Sequence, residues 1–166
     1  MSKKSVFDWC LKQGERTENH KGVREIAPNK ENSQRHMDKA LHNVKAFDHN
    51  IEEFPDWSVS AAFYAMYHSL LAVLAQLGYE SRNQECTINT VDYFIETKKI
   101  ELDRKYIEMI RRTSEMLPRD AKLLREEFQY GTNVSVNKEI LNNLRKNTIE
   151  FTESVQICLE KMRPGS

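Results

Sequence analysis

The sequence predicts an all-α fold, a helical bundle in one domain, on three observations. Apolar residues recur at helical spacing through several long stretches. Only five Gly and four Pro occur in 166 residues, which leaves few of the sharp turns that a many-stranded sheet needs. A chain of this length also buries roughly 70% of its unfolded surface, enough for a core that depends on neither metal nor disulfide. One domain is expected over residues 1–166, with a short helix and a connection in 1–31 and the bundle in 32–163.

Taken in order, residues 4–13 suit a short helix, and residues 14–32 are polar, carry Gly22 and Pro28 and read as a long connection. Met37, Ala40, Leu41, Val44, Phe47 and Ile51 then share about a third of a helical wheel, predicting an amphipathic helix that Pro55 ends. The next helix is expected from Asp56, as N-cap, to Leu77, with Gly78 closing it. It is the most apolar element, and its broad face (Val59, Ala62, Phe63, Met66, Tyr67, Leu70, Val73, Leu74) places it at the centre of the bundle. Ile88, Val91, Phe94 and Ile95 predict a third helix over 87–99. Tyr106, Ile107, Ile110, Leu117, Leu124 and Phe128 predict a fourth over 103–129, kinked or interrupted at Pro118, where a backbone donor is missing. Ile140, Leu144, Phe151, Val155, Cys158, Leu159 and Met162 mark a last one over 137–162.

The 25 basic side chains balance 25 acidic ones, so no global positive field draws the molecule to nucleic acid. Any RNA contact must be local. Residues 98–125 hold nine basic against five acidic residues, whereas 46–57 hold Asp48, Glu52, Glu53 and Asp56 with no Lys or Arg. Cys10, Cys86 and Cys158 are odd in number and far apart, which indicates neither a disulfide framework nor a zinc knuckle and suggests a reducing compartment. With no apolar run fit for a signal peptide and none approaching 18 residues, the chain is expected in the cytoplasm.

No phosphate-binding glycine loop, zinc-protease motif or serine-hydrolase elbow is present. His42, His49 and Glu53 form a row resembling metal ligands, but it lies opposite the apolar arc and is expected to face water, so no metal or cofactor is predicted. His68 shares the central helix with Trp57, Tyr64 and Tyr67, on a side less apolar than the core. A half-buried histidine there is either bonded to a tyrosine or backbone carbonyl, or part of a site. Arg125 precedes Tyr130 at a helix end, where the plain alternative is a surface ion pair and a capping ring. The candidate ligand-binding residues are Arg125, Tyr130, Tyr64 and His68.

Residues 56–71, DWSVSAAFYAMYHSLL, resemble the central helix of archaeal and bacterial HEPN-domain proteins, of the type associated with minimal nucleotidyltransferases. Phe7-Asp8-Trp9-Cys10-Leu11-Lys12, Ala27-Pro28-Asn29, Glu85-Cys86-Thr87-Ile88 and the 125–131 segment extend the resemblance over nearly the whole chain. It implies an antiparallel bundle of four or five helices, often a homodimer, with functions around RNA or nucleotides and, in some members, a nucleotidyltransferase partner in a toxin–antitoxin module. Ribonuclease members carry an arginine followed after four to six residues by a histidine. Here Arg125 is followed by Tyr130 where that histidine is expected, and a phenol with a pKa near 10 is a poor general base at neutral pH. Arg16 with His20 is spaced too closely and lies in the connection. The resemblance thus implies a non-catalytic module that binds RNA, a nucleotide or a partner protein. The alternatives are a metal-independent ribonuclease with an R-x4-Y motif, in which His68 or Tyr130 replaces the base, and a dimeric interaction subunit of a nucleotidyltransferase.

Overall fold

A computed structural model describes residues 1–15, 19–117 and 137–162. These form helices α1 (Lys3–Gly14), α2 (Lys30–Asn50), α3 (Pro55–Leu77), α4 (Gln84–Glu96), α5 (Lys105–Glu115) and α6 (Lys138–Lys161), with strands β1 (Val23–Glu25) and β2 (Tyr79–Ser81). The all-α expectation holds, with one addition. The stretch expected as plain connection carries β1, which pairs antiparallel with β2 in the register Val23↔Ser81, Arg24↔Glu80, Glu25↔Tyr79.

Helix α3 is central because it is apolar almost all round, and such a helix must be covered on several sides. α2 folds back along it as an antiparallel hairpin. Two buried hydroxyls fix the register: Ser33 Oγ donates to Ala72 O and Ser58 Oγ to Phe47 O, each at 2.8 Å. α6 runs alongside, with Gln76 Nε2 donating to Leu159 O at 3.1 Å and Arg145 bridging to Asp48 of α2 at 2.6 Å. α5 meets α3 through Thr113 against Met66, and α4 covers the remaining flank. Phe47, Phe63, Met66, Leu70, Phe94, Ile107 and Phe151 are sealed inside.

Several expectations are corrected. The expectation that no stretch is apolar enough to cross a bilayer is wrong for α3, whose 23 residues suffice by length and composition. In this fold 72% of its most apolar window is buried against the other helices. Asp56 is not the N-cap of α3: Phe54 is, without a side-chain bond, because Pro55 occupies the first helical position, where a missing N–H costs nothing. α4 starts three residues earlier than the apolar pattern indicates, since the Asn83 side chain accepts from Cys86 N–H at 2.9 Å. Leu41 and Ile140, expected inside, are exposed, and Leu141 is buried beside the place intended for Ile140. The fourth helix reaches Glu115, and its expected continuation past Pro118 lies outside the described residues. Finally, Cys10 and Cys86 form a disulfide, their Cα atoms 5.7 Å apart across 76 residues of sequence. Spacing along the chain misled there, because the antiparallel packing of α1 on α4 brings the two together.

Candidate functional site

The face of α3 between α2 and α4 is built by helical spacing. At 100° per residue Trp57, Tyr64, His68 and Leu71 fall within an arc of roughly 60°. α2 borders this arc through Ser58 and His68, and α4 borders it on the other side, where Tyr67 Oη meets Thr87 Oγ1 at 3.4 Å. Trp57 is 67% exposed and Tyr64 43%. Large rings left in water are the uncommon case on a surface, and here they line up along one helix.

His68 faces His36 of α2, with the two Nδ1 atoms 3.1 Å apart and the rings at 29°. One Nδ1 must carry the proton and the other must be bare for that hydrogen bond to form, so the contact excludes two fully protonated rings. Burial is the first cause that pushes His68 down to about 4, followed by the charges of His36 and Lys39. Burial alone lowers His36. The pair is therefore neutral at pH 7 and offers ring nitrogens, not cations, to whatever binds. Among the described residues neither outer Nε2 has a hydrogen-bonding partner, and neither is a sealed, unsatisfied atom. Tyr67 stacks on Phe63 at 5.9 Å and its phenol is pushed up by burial, so it holds the wall of the face and keeps its proton.

Of the four candidate residues, the structure sets Tyr64 and His68 on one face, a single turn apart, while Arg125 and Tyr130 lie outside the described residues. The expected partner of His68, a tyrosine or a carbonyl, is replaced by an imidazole. His36 went unnoticed in the sequence because it belongs to another helix and sits outside the apolar pattern. Its signal was the hairpin itself: with Ser33 level with Ala72 and Phe47 with Ser58, position 36 is level with 68 or 69.

His42, His49 and Glu53 are exposed, and no group of three or more His, Cys, Asp or Glu able to hold a metal exists among the described residues. The discounted His20 is buried, its Nδ1 accepting from Gly22 N–H at 3.4 Å and its Nε2 3.8 Å from Glu80. Within the basic stretch most described cations are engaged. Arg104 and Arg111 converge with Lys3 on the buried Asp92 carboxylate, at 3.3, 3.3 and 3.1 Å. Lys105 pairs with Glu150 at 2.7 Å, and Lys99 lies over the Phe94 ring at 4.5 Å. Such residues are structural, and the exposed rings of α3 with the His36–His68 pair remain the better candidates.

The HEPN domain model matches residues 33–158. No curated protein matches the chain.

Proposed function

The chain belongs to the HEPN domain family, and from that premise we propose that it is a binding module which takes single-stranded RNA or a nucleotide on the open face of α3. The observation that supports this is the line of exposed Trp57 and Tyr64 leading to the neutral His36–His68 pair. Exposed rings provide stacking surface for any base, worth about 1–3 kcal/mol each. Unprotonated ring nitrogens hydrogen-bond base edges, and Lys39, close enough to depress His68, supplies positive charge for a phosphate. Arg125 and Tyr130 are kept in this proposal as ligand-binding residues on the resemblance alone. Binding without turnover follows from Tyr130 standing where ribonuclease relatives place a histidine.

Binding is measured by the fluorescence anisotropy of a labelled oligouridylate in chelator. Tyr64→Ala is expected to weaken it about tenfold, the equivalent of one lost stack. Arg125→Ala is expected to weaken it and to flatten its salt dependence. The proposal fails if the wild type does not bind, or if both variants bind as it does. Cleaved RNA that stays intact with Arg125→Ala would instead establish the ribonuclease alternative.

A second reading has its own observation. Phe54 is 52% exposed beside Trp57, and Glu52 and Glu53 precede them in a stretch, 46–57, that holds no Lys or Arg. An apolar surface with an acidic rim suits a protein partner, either a second copy, as in the homodimers that the resemblance implies, or the nucleotidyltransferase of a toxin–antitoxin pair. Light scattering over a range of concentrations tests the homodimer; a constant monomer mass would remove it.

A further inference from the structure

The first 32 residues precede the span matched by the family, and the described part of them is fastened to the domain at one flank. α1 lies antiparallel on α4. Phe7 stacks on Tyr93 at 5.0 Å and meets Phe94 edge-on at 5.4 Å, while Lys3 reaches Asp92 at 3.1 Å and Glu96 at 3.5 Å. At the other end of this contact Cys10 is bonded to Cys86 in the first turn of α4.

Both cysteines are buried with Val23 in a small cluster separate from the main core. The main core is continuous without them; it takes in residues of α2, α3, α4, α5 and α6, and from α1 the buried Phe7. Breaking the bridge therefore loosens the small cluster and the attachment of α1 and β1, and leaves the contacts within the main core in place. We propose that Cys10 and Cys86 form a reversible thiol–disulfide modification site that sets how firmly this N-terminal clasp is held on α4.

The chemistry balances with a low-molecular-weight disulfide such as oxidised glutathione as oxidant. One protein thiolate attacks a glutathione sulfur, forming a mixed disulfide and releasing one glutathione thiolate; the second protein thiolate then displaces the other. Two protein thiols become one disulfide, one glutathione disulfide becomes two thiols, and the two protons pass to the released glutathiones. Two glutathione thiols reverse the sequence. Because both cysteines are buried, each 1% exposed, exchange in either direction waits on an opening of α1 from α4. In the dithiol form α1 keeps the Phe7 contacts, the Lys3 bridges, the packing of Leu11 and the Arg24 hydrogen bonds to Gly14 O at 3.1 and 3.2 Å, but loses its one covalent tie to α4. Each opening then uncovers Tyr79, Tyr93 and Phe94 and leaves Asp92 to Arg104 and Arg111.

The test uses the full chain equilibrated across a series of reduced and oxidised glutathione ratios. Peptide mapping by mass spectrometry follows the bridge, and amide hydrogen exchange follows α1. The expected result is a Cys10–Cys86 cross-linked peptide that appears and disappears reversibly along the series. Exchange of α1 amides should be at least about tenfold faster in the dithiol form, with α3 unchanged. Cys86→Ser should show the fast α1 exchange at every ratio, and if that variant does not fold, the reduced wild type carries the comparison. Cysteines that stay separate at every ratio overturn the proposal, as does equal α1 exchange in the two forms.

Discussion

The pairing of His36 with His68 converts two common surface residues into a single neutral unit that shares one hydrogen bond between α2 and α3. Because the folded pKa of His68, about 4, lies below its unfolded value, the unfolded chain binds more protons between those limits. The pair's contribution is thus complete above roughly pH 6.5 and is lost progressively as pH falls toward 4. Guanidinium unfolding at pH 7 and pH 4.5 checks this. His68→Asn, which can still donate to His36 but cannot take up a proton, should lose less stability between the two pH values than the wild type does. An equal loss would mean that other groups carry the acid sensitivity. At this scale the sequence was half legible. Tyr64 and His68 stand out because they interrupt an apolar helix, whereas His36 acquires meaning only from the helix packed opposite. Arg125 was visible only through a spacing motif, which carries no geometry of its own.

Elements were read well where one face decides their fate and less well where a single polar atom does. α3 was legible from its apolar width, and Gly78 from its place after the last apolar residue. Gly78 indeed closes α3 at φ 89°, with its N–H directed to Leu74 O and Ala75 O. Its carbonyl accepts from Ile26 N–H at 2.9 Å, and an added Cβ would stand 2.7 Å from Ile26 O. Gly78→Ala is expected to cost about 2 kcal/mol through backbone strain and that close approach, seen as a lowered denaturation midpoint with an unchanged slope. A cost near zero would mean that the turn between α3 and β2 adapts freely. The beginnings of α2 and α4 were harder to place. Asn29 and Asn83 cap them by accepting from Asn32 N–H and Cys86 N–H, both at 2.9 Å, and a cap residue is indistinguishable by composition from the polar loop before it. The short β1–β2 pair was missed for a related reason: three residues on each strand present no alternation to detect.

For the whole molecule, neutrality in composition conceals strong local organisation. Asp92, with its side chain only 3% exposed, gathers Lys3 of α1, Arg111 of α5 and Arg104 at the N-cap of α5, so much of the basic stretch is spent on structure. Asp92→Ala should cost about 3 kcal/mol, because three cations lose a buried counter-charge, and thermal unfolding should show it. A change within about 0.5 kcal/mol would mean that the cations relax into solvent at no expense. The family and the bundle were legible in the sequence because they rest on many weak, concordant signals. The Cys10–Cys86 bond was not, because it depends on one long-range meeting of two helices.

The central claim is that ligand enters at the open face of α3, and two-dimensional NMR of the isotope-labelled chain titrated with oligouridylate tests it most directly. The predicted result is that the Trp57 indole and the resonances of Tyr64, His68 and His36 shift together and saturate at one concentration, while α1 and the Asp92 cluster stay still. Shifts that cluster around Lys3, Arg104 and Arg111 and leave Trp57 and Tyr64 unmoved would contradict it.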